Sequence, residues 1–241
     1  MAIATQNGFA PMIAKSEFDN EAKMFLKMFC TESLITPMAI PILEIARKEM
    51  GLRVIKKHLS EDLSILGQMC FTSGLAEIYD KENEEYREVK VRYGTMIIDP
   101  DVIVERNEGC MNNTIAHECV HWHKHRDYHI AASIRKDKKA ISRYCDFMIK
   151  PESTQSDWAD EDWMEWQANN IAPRILMPLE PFHVMVQKFA AEYTSNHSVW
   201  FHHYSMYVWV VNNLAAFFKV SKQSVKIRLE ETGYHLNRMP N

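Results

Sequence analysis

Five of the chain's eleven histidines fall in one stretch, NTIAHECVHWHKHRDYH, which runs from Asn113 to His129. Histidine is neither a strong helix former nor an easily buried residue, so such density asks for a chemical reason. His117, Glu118 and His121 form the pattern His-Glu-x-x-His. On a helix, residues four apart lie one above the other, so both imidazoles face the same way and can grip one ion. The segment must then be helical and rigid, and another part of the chain must supply what two histidines cannot.

Two neutral imidazoles suit zinc, and a catalytic zinc needs a third protein ligand with one position left open. Glu118 can reach a water on the metal without ligating it. The carboxylate takes the water's proton as the oxygen attacks a polarised carbonyl, then hands it to the departing amine. The pattern therefore reads as an amide hydrolase that forms no covalent intermediate.

Three residues are candidates for the third ligand. His125 continues the same helix face, but the backbone must bend for it to join an ion already held by His117 and His121. Asp127 follows His117 by ten residues, as in enzymes whose chain turns back after the motif, yet Lys124 stands where that turn normally has glycine. Glu165, in EWQANNIAPRILMP, belongs to a separate helix, with Ala168 and Ala172 small enough for close approach. Spacing places Glu165 modestly ahead and leaves Asp127 open.

Of the 241 residues, 46% are hydrophobic and 25% charged, which suffices for a substantial core and gives no sign of disorder. A net charge of −4 gives no broad basic face, so direct nucleic-acid binding is not expected despite the helix-turn-helix-like spacing of the last two elements. Cysteines at 30, 70, 110, 119 and 145 are odd in number and scattered, which reads as reduced thiols; Cys119 is expected to be buried rather than a ligand. No secretory signal is visible, and the most apolar run, VWFHHYSMYVWVVNNLAAFF, is interrupted by two histidines and two asparagines. A cytoplasmic protein without membrane association is expected.

Residues 1–36 read as an N-terminal arm and leading helical segment, and 37–241 as the main domain with a C-terminal helical element. Apolar spacing predicts a helix over Pro37–Gly51. Two antiparallel strands are expected at Gln68–Tyr79 and Val89–Ile98, with another near Arg53–His58. The motif helix should begin near Asn112 or Asn113. A further helix is expected in WADEDWMEWQANNIAPRILMP, with acidic residues in its first turns; it either kinks or ends near Asn170 and restarts with Pro173 in a first turn. Helical segments are expected around His183–Tyr193 and in the C-terminal KVSKQSVKIRLEETG, the latter capped by Ser221 and stopped by Gly233; an aromatic segment around Val199–Val211 lies between them. The fold class is α+β: a mostly helical domain with a small antiparallel or mixed sheet beside the motif helix.

TIAHECVH, followed about forty residues later by EWQANNIAPRILMP, resembles the ImmA/IrrE family of zinc-dependent metallopeptidases. Members carry an Ala-His-Glu-x-x-His helix and a later Glu-x-x-Ala-Asn segment that ends in Leu-Met-Pro. The likeness extends upstream through YGTMIIDPDVI and downstream through LAAFFKVSKQSVKIRLEETGY, roughly Arg53 to Tyr234. It implies a zincin-like, gluzincin-type arrangement with His117, His121 and Glu165 on Zn2+, Glu118 as catalytic base, and Ala168 and Asn169 as framework. It also implies intracellular regulatory proteolysis of a protein substrate, such as a helix-turn-helix transcriptional repressor or an antitoxin, in systems tied to mobile elements, stress or toxin–antitoxin pairs. Val120 stands where many members have glycine, and Asn113 where phenylalanine is common. An inactive or weakly active binding module that keeps the metallopeptidase shape is the competing reading.

A strand edge beside the cleft is expected to hold an extended substrate through backbone hydrogen bonds. His202, His203 and Tyr204 form a second polar-aromatic cluster, from which a donor to a developing oxyanion can come, although a packed aromatic segment explains it as well. His123 and His129 read as exposed or hydrogen-bonded groups at the helix end.

Overall fold

The computed structural model describes residues 3–4, 11–133, 142–146, 158–196 and 203–234. Two short strands, β1 (Ile3–Ala4) and β2 (Pro11–Met12), pair antiparallel. In α1 (Phe18–Phe29), Phe18, Ala22, Phe25 and Leu26 recur at helical spacing and all four are buried. The helix expected over Pro37–Gly51 is shorter. Pro41 has no N–H to offer and biases its predecessor away from helix, so α2 (Ile42–Glu44) begins after it and passes into a π-helical turn at Ile45–Glu49.

The strands expected at Gln68–Tyr79 and Val89–Ile98 are each split in two, giving β3 (Arg53–Lys56), β4 (Ile65–Cys70), β5 (Gly74–Asp80), β6 (Glu85–Val91) and β7 (Thr95–Ile98). The chain leaves one sheet for another at both breaks, and Gly94, at φ 74°, makes the return turn that a side chain would strain. β5 and β6 form a separate antiparallel hairpin. The remaining strands join β8 (Ser142–Asp146) in a four-stranded mixed sheet of order β3-β7-β4-β8. β7 lies parallel to β3 and antiparallel to β4, and it is buried along its whole length, as its continuous apolar run requires.

α3 (Glu108–Val120), a π-helical turn at His121–His125 and α4 (Arg126–Ser133) form one helical run. It starts earlier than expected because Asn107 is the cap: its Oδ1 accepts the Cys110 N–H at 2.8 Å. α5 (Asp160–Leu176) packs on both α3 and α1. It continues through Pro173 rather than ending near Asn170. Ile171, Ala172, Ile175 and Leu176 on either side are buried, so tertiary packing outweighs the lost backbone bond, and Arg174 Nη1 donates to the Asn170 carbonyl at 2.6 Å.

α6 (Leu179–Asn196), α7 (His203–Phe218) and α8 (Lys222–Glu231) complete the order. The expected caps are in place: Ser221 Oγ accepts the Ser224 N–H at 3.0 Å, and Gly233 adopts φ 84°. Arg228, 2% exposed, anchors α8 by pairing with Asp19 of α1 and donating from Nε to the Met177 carbonyl. One apolar core joins these helices to Met69, Met96 and Ile98 of the sheet. Among the described residues no helix is long and apolar enough to cross a membrane.

Candidate metal centre

His117 sits in the last turn of α3 and His121 opens the π-helical turn, so the four-residue spacing brings their rings together edge-on with Nε2 atoms 2.9 Å apart. Glu165 reaches them from α5. Its Oε2 lies 3.3 Å from His117 Nε2 and its Oε1 3.1 Å from His121 Nε2. One ligand-capable atom from each residue lies within 4.8 Å of the other two. Both imidazoles are fully buried, whereas the Glu165 side chain keeps 18% exposure. Burial alone would raise the Glu165 carboxyl, but His121 and His117 outweigh it and hold the group well below the usual carboxylate range. Two imidazole nitrogens meeting at one point, beside a carboxylate kept ionised, are a donor set that fits zinc.

Glu118 is fully buried beside this cluster, against β4. Gly67 leaves it room. A Cβ built there would fall 2.9 Å from Glu118 Oε1 and 2.7 Å from Thr114 Cγ2, closer than real contacts allow. Nothing in the sequence around Gly67 pointed to this role, because the two segments meet only in the fold.

The other candidates lie elsewhere. The Asp127 side chain is 87% exposed and faces Arg126, not the cluster. His125 is fully buried but stands behind His121: its Nδ1 is 3.0 Å from His121 Nδ1, and its Nε2 is 3.0 Å from Gln167 Oε1. Burial first, and then the neighbouring His121, hold the His125 imidazole well below its ordinary value, which favours its neutral form. Gln167, a fully buried residue two positions after Glu165, escaped the sequence reading although the motif containing it was in view. Tyr204 is 68% exposed in the first turn of α7. His202 lies outside the described residues, and His203 is described only as the residue that opens α7.

His123 packs edge-on against Phe25 and Phe29, and His129, 5% exposed, stacks on Phe71 at 4.1 Å between centroids. Neither is an exposed helix-end group, because α1 and the chain after β4 cover this part of the helix. Cys119 is buried as expected. Burial, and then the Glu118 charge, push its thiol up and raise that of Cys70 to about 12, so neither is a thiolate near neutral pH.

His58, Asp99 and Asp101 form a second group with metal-like proximity. Its carboxylates are already engaged: Asp99 accepts the N–H groups of Leu59 at 2.8 Å and Asp101 at 3.0 Å, and Lys81 pairs with Asp101. The group braces the turn after β7.

None of the curated proteins matches the chain at a significant level. Among solved structures, a Mycobacterium tuberculosis transcriptional regulator aligns with a TM-score of 0.45 and 14% identity over 89% of this chain. The chain spans 47%, about half, of that structure's length. The model of the IrrE N-terminal-like domain, peptidase M78, matches residues 80–230, a span that holds α3, the π-helical turn and α5. As that match takes in more than half of the sequence, the protein belongs to the ImmA/IrrE family and has its metallopeptidase-type fold.

Proposed function

We propose that the protein is a zinc-dependent metallopeptidase that cleaves a regulatory protein at a restricted site. The observation that carries this reading is the convergence of His117, His121 and Glu165, with Glu118 next to them on the same helix. His117, His121 and Glu165 would hold the ion. When bound, zinc supplies Lewis acidity, which acidifies a coordinated water and polarises the scissile carbonyl. Glu118 accepts a proton from the attacking water as the C–O bond forms and delivers it to the amine nitrogen as the C–N bond breaks. Burial around Glu118 strengthens these charge interactions by excluding bulk water.

Substrate selection follows from the sheet. Among the described residues β4 is paired on both sides, with β7 and β8, and β8, which contacts α3, is an end strand of the sheet. We assign the outer side of β8 as the edge on which an extended protein segment adds by backbone hydrogen bonds. A cytoplasmic helix-turn-helix repressor or antitoxin fits the family's regulatory role.

The complete burial of Glu118 favours a second reading, a binding module with little or no turnover. Wild type and Glu118→Gln, incubated with candidate repressors and assayed for metal, separate the two. The peptidase reading expects both proteins to hold zinc and the variant to lose on the order of 10²–10⁴-fold in cleavage rate. Cleavage untouched by the substitution overturns it. Zinc-loaded wild type that binds its partner without cutting it supports the binding module.

A further inference from the structure

The metal site has a second layer whose hydrogen-bond polarity can be read from its far end. Gln167 presents its amide oxygen, which can only accept, to His125 Nε2 at 3.0 Å. His125 Nε2–H therefore donates. A neutral imidazole carries one N–H, so His125 Nδ1 is an acceptor, and it faces His121 Nδ1 at 3.0 Å. His121 Nδ1–H donates to it. The remaining nitrogen, His121 Nε2, faces the point it shares with His117 Nε2 and Glu165, where it donates a proton to the carboxylate until a metal ion displaces that proton and takes the lone pair. Gln167, His125 and His121 are all fully buried, so water does not compete for these bonds.

We propose that His125 and Gln167 are positioning residues that lock His121 in the Nδ1–H tautomer, keeping Nε2 ready to bind a metal ion. This rests on the reading of His121 as a ligand. Glu165 and Gln167 lie two residues apart on α5, so one helix supplies both the carboxylate on the metal side of His121 and the acceptor that fixes its other side. Reversing the Gln167 amide would invert every donor in the chain and keep the proton on His121 Nε2, where it would block coordination.

The test measures zinc affinity by chelator competition in wild type, Gln167→Met, Gln167→Glu and His121→Ala, with circular dichroism to verify folding. Methionine keeps the length of glutamine and removes the acceptor; glutamate restores an acceptor. Gln167→Met should weaken zinc binding about 10–100-fold, the range for loss of an outer-shell partner, and Gln167→Glu should recover most of it. A folded Gln167→Met that binds zinc as tightly as wild type, while His121→Ala does not, overturns the relay and leaves the ligand assignment standing. Wild type without zinc affinity, or with affinity unaffected by His121→Ala, overturns both. Should the methionine variant fail to fold, nitrogen-15 spectra of zinc-loaded wild type decide: His125 protonated on Nε2 supports the relay, and His125 protonated on Nδ1 refutes it.

Discussion

Gly67→Ala tests Glu118, the proposed base, separately from the proposed metal ligands. Gly67 has no positive φ to preserve, so alanine is conformationally acceptable and the added methyl is judged on space alone. Its Cβ would sit 2.7 Å from Thr114 Cγ2, about 0.8 Å inside the optimum of about 3.5 Å for carbon pairs. Thr114 yields little: it is β-branched, and its Oγ1 donates to the Cys110 carbonyl at 3.1 Å. The Glu118 carboxylate, 2.9 Å from the new methyl, is the end of a flexible side chain and moves aside, whereas the Thr114 contact is relieved only by a small separation of β4 from α3. Overpacking of this kind costs about 1–3 kcal/mol of stability. A displacement of about 1 Å at a reacting group lowers kcat on the order of 10²-fold. His117, His121 and Glu165 are untouched, so zinc content stays at the wild-type level. Steady-state kinetics on a cleaved partner, metal analysis and a melting curve test this together. A folded variant with wild-type kcat refutes the steric argument; parallel loss of zinc and activity assigns Gly67 to the ligands instead of the base.

Two further outcomes follow from burial. Iodoacetamide at pH 8 should leave Cys70 and Cys119 unmodified in the folded protein and modify both in urea, as residue-resolved mass spectrometry would reveal; native labelling of either contradicts the packing beside Glu118. The second concerns His183, whose imidazole is held below its ordinary value by burial and then by the Arg228 charge, while its Nδ1 lies 2.9 Å from the Tyr234 hydroxyl. Because the unfolded state binds the proton more readily, this contribution to stability is intact above about pH 6.5 and declines as pH falls below it. Urea midpoints of wild type and His183→Gln between pH 5 and 7.5 should converge at the acid end, and parallel curves would refute the assignment.

Local spacing made part of this molecule legible. The four-residue interval between His117 and His121, the Ser221 cap and the Gly233 stop all act within a turn or two, and the structure has each of them. Features decided by distant contacts were harder to read. The continuous strands expected around residues 68–79 and 89–98 break because the chain divides between two sheets, and α5 passes Pro173 because its flanking apolar residues are buried against other helices. Within the candidate site, the proximity of Glu165 to the histidines was weighed from residue type and helix spacing. Gly67 and Gln167 carried no such signal: one matters for a side chain it lacks, the other for an acceptor presented to a histidine on another helix.

The most direct measurement is a crystal structure of zinc-reconstituted protein with anomalous data collected at the zinc edge. One strong peak bonded to His117 Nε2, His121 Nε2 and a Glu165 oxygen, with a coordination position open to solvent or substrate, is the predicted result. No peak there, or a peak between His58, Asp99 and Asp101 instead, would contradict it.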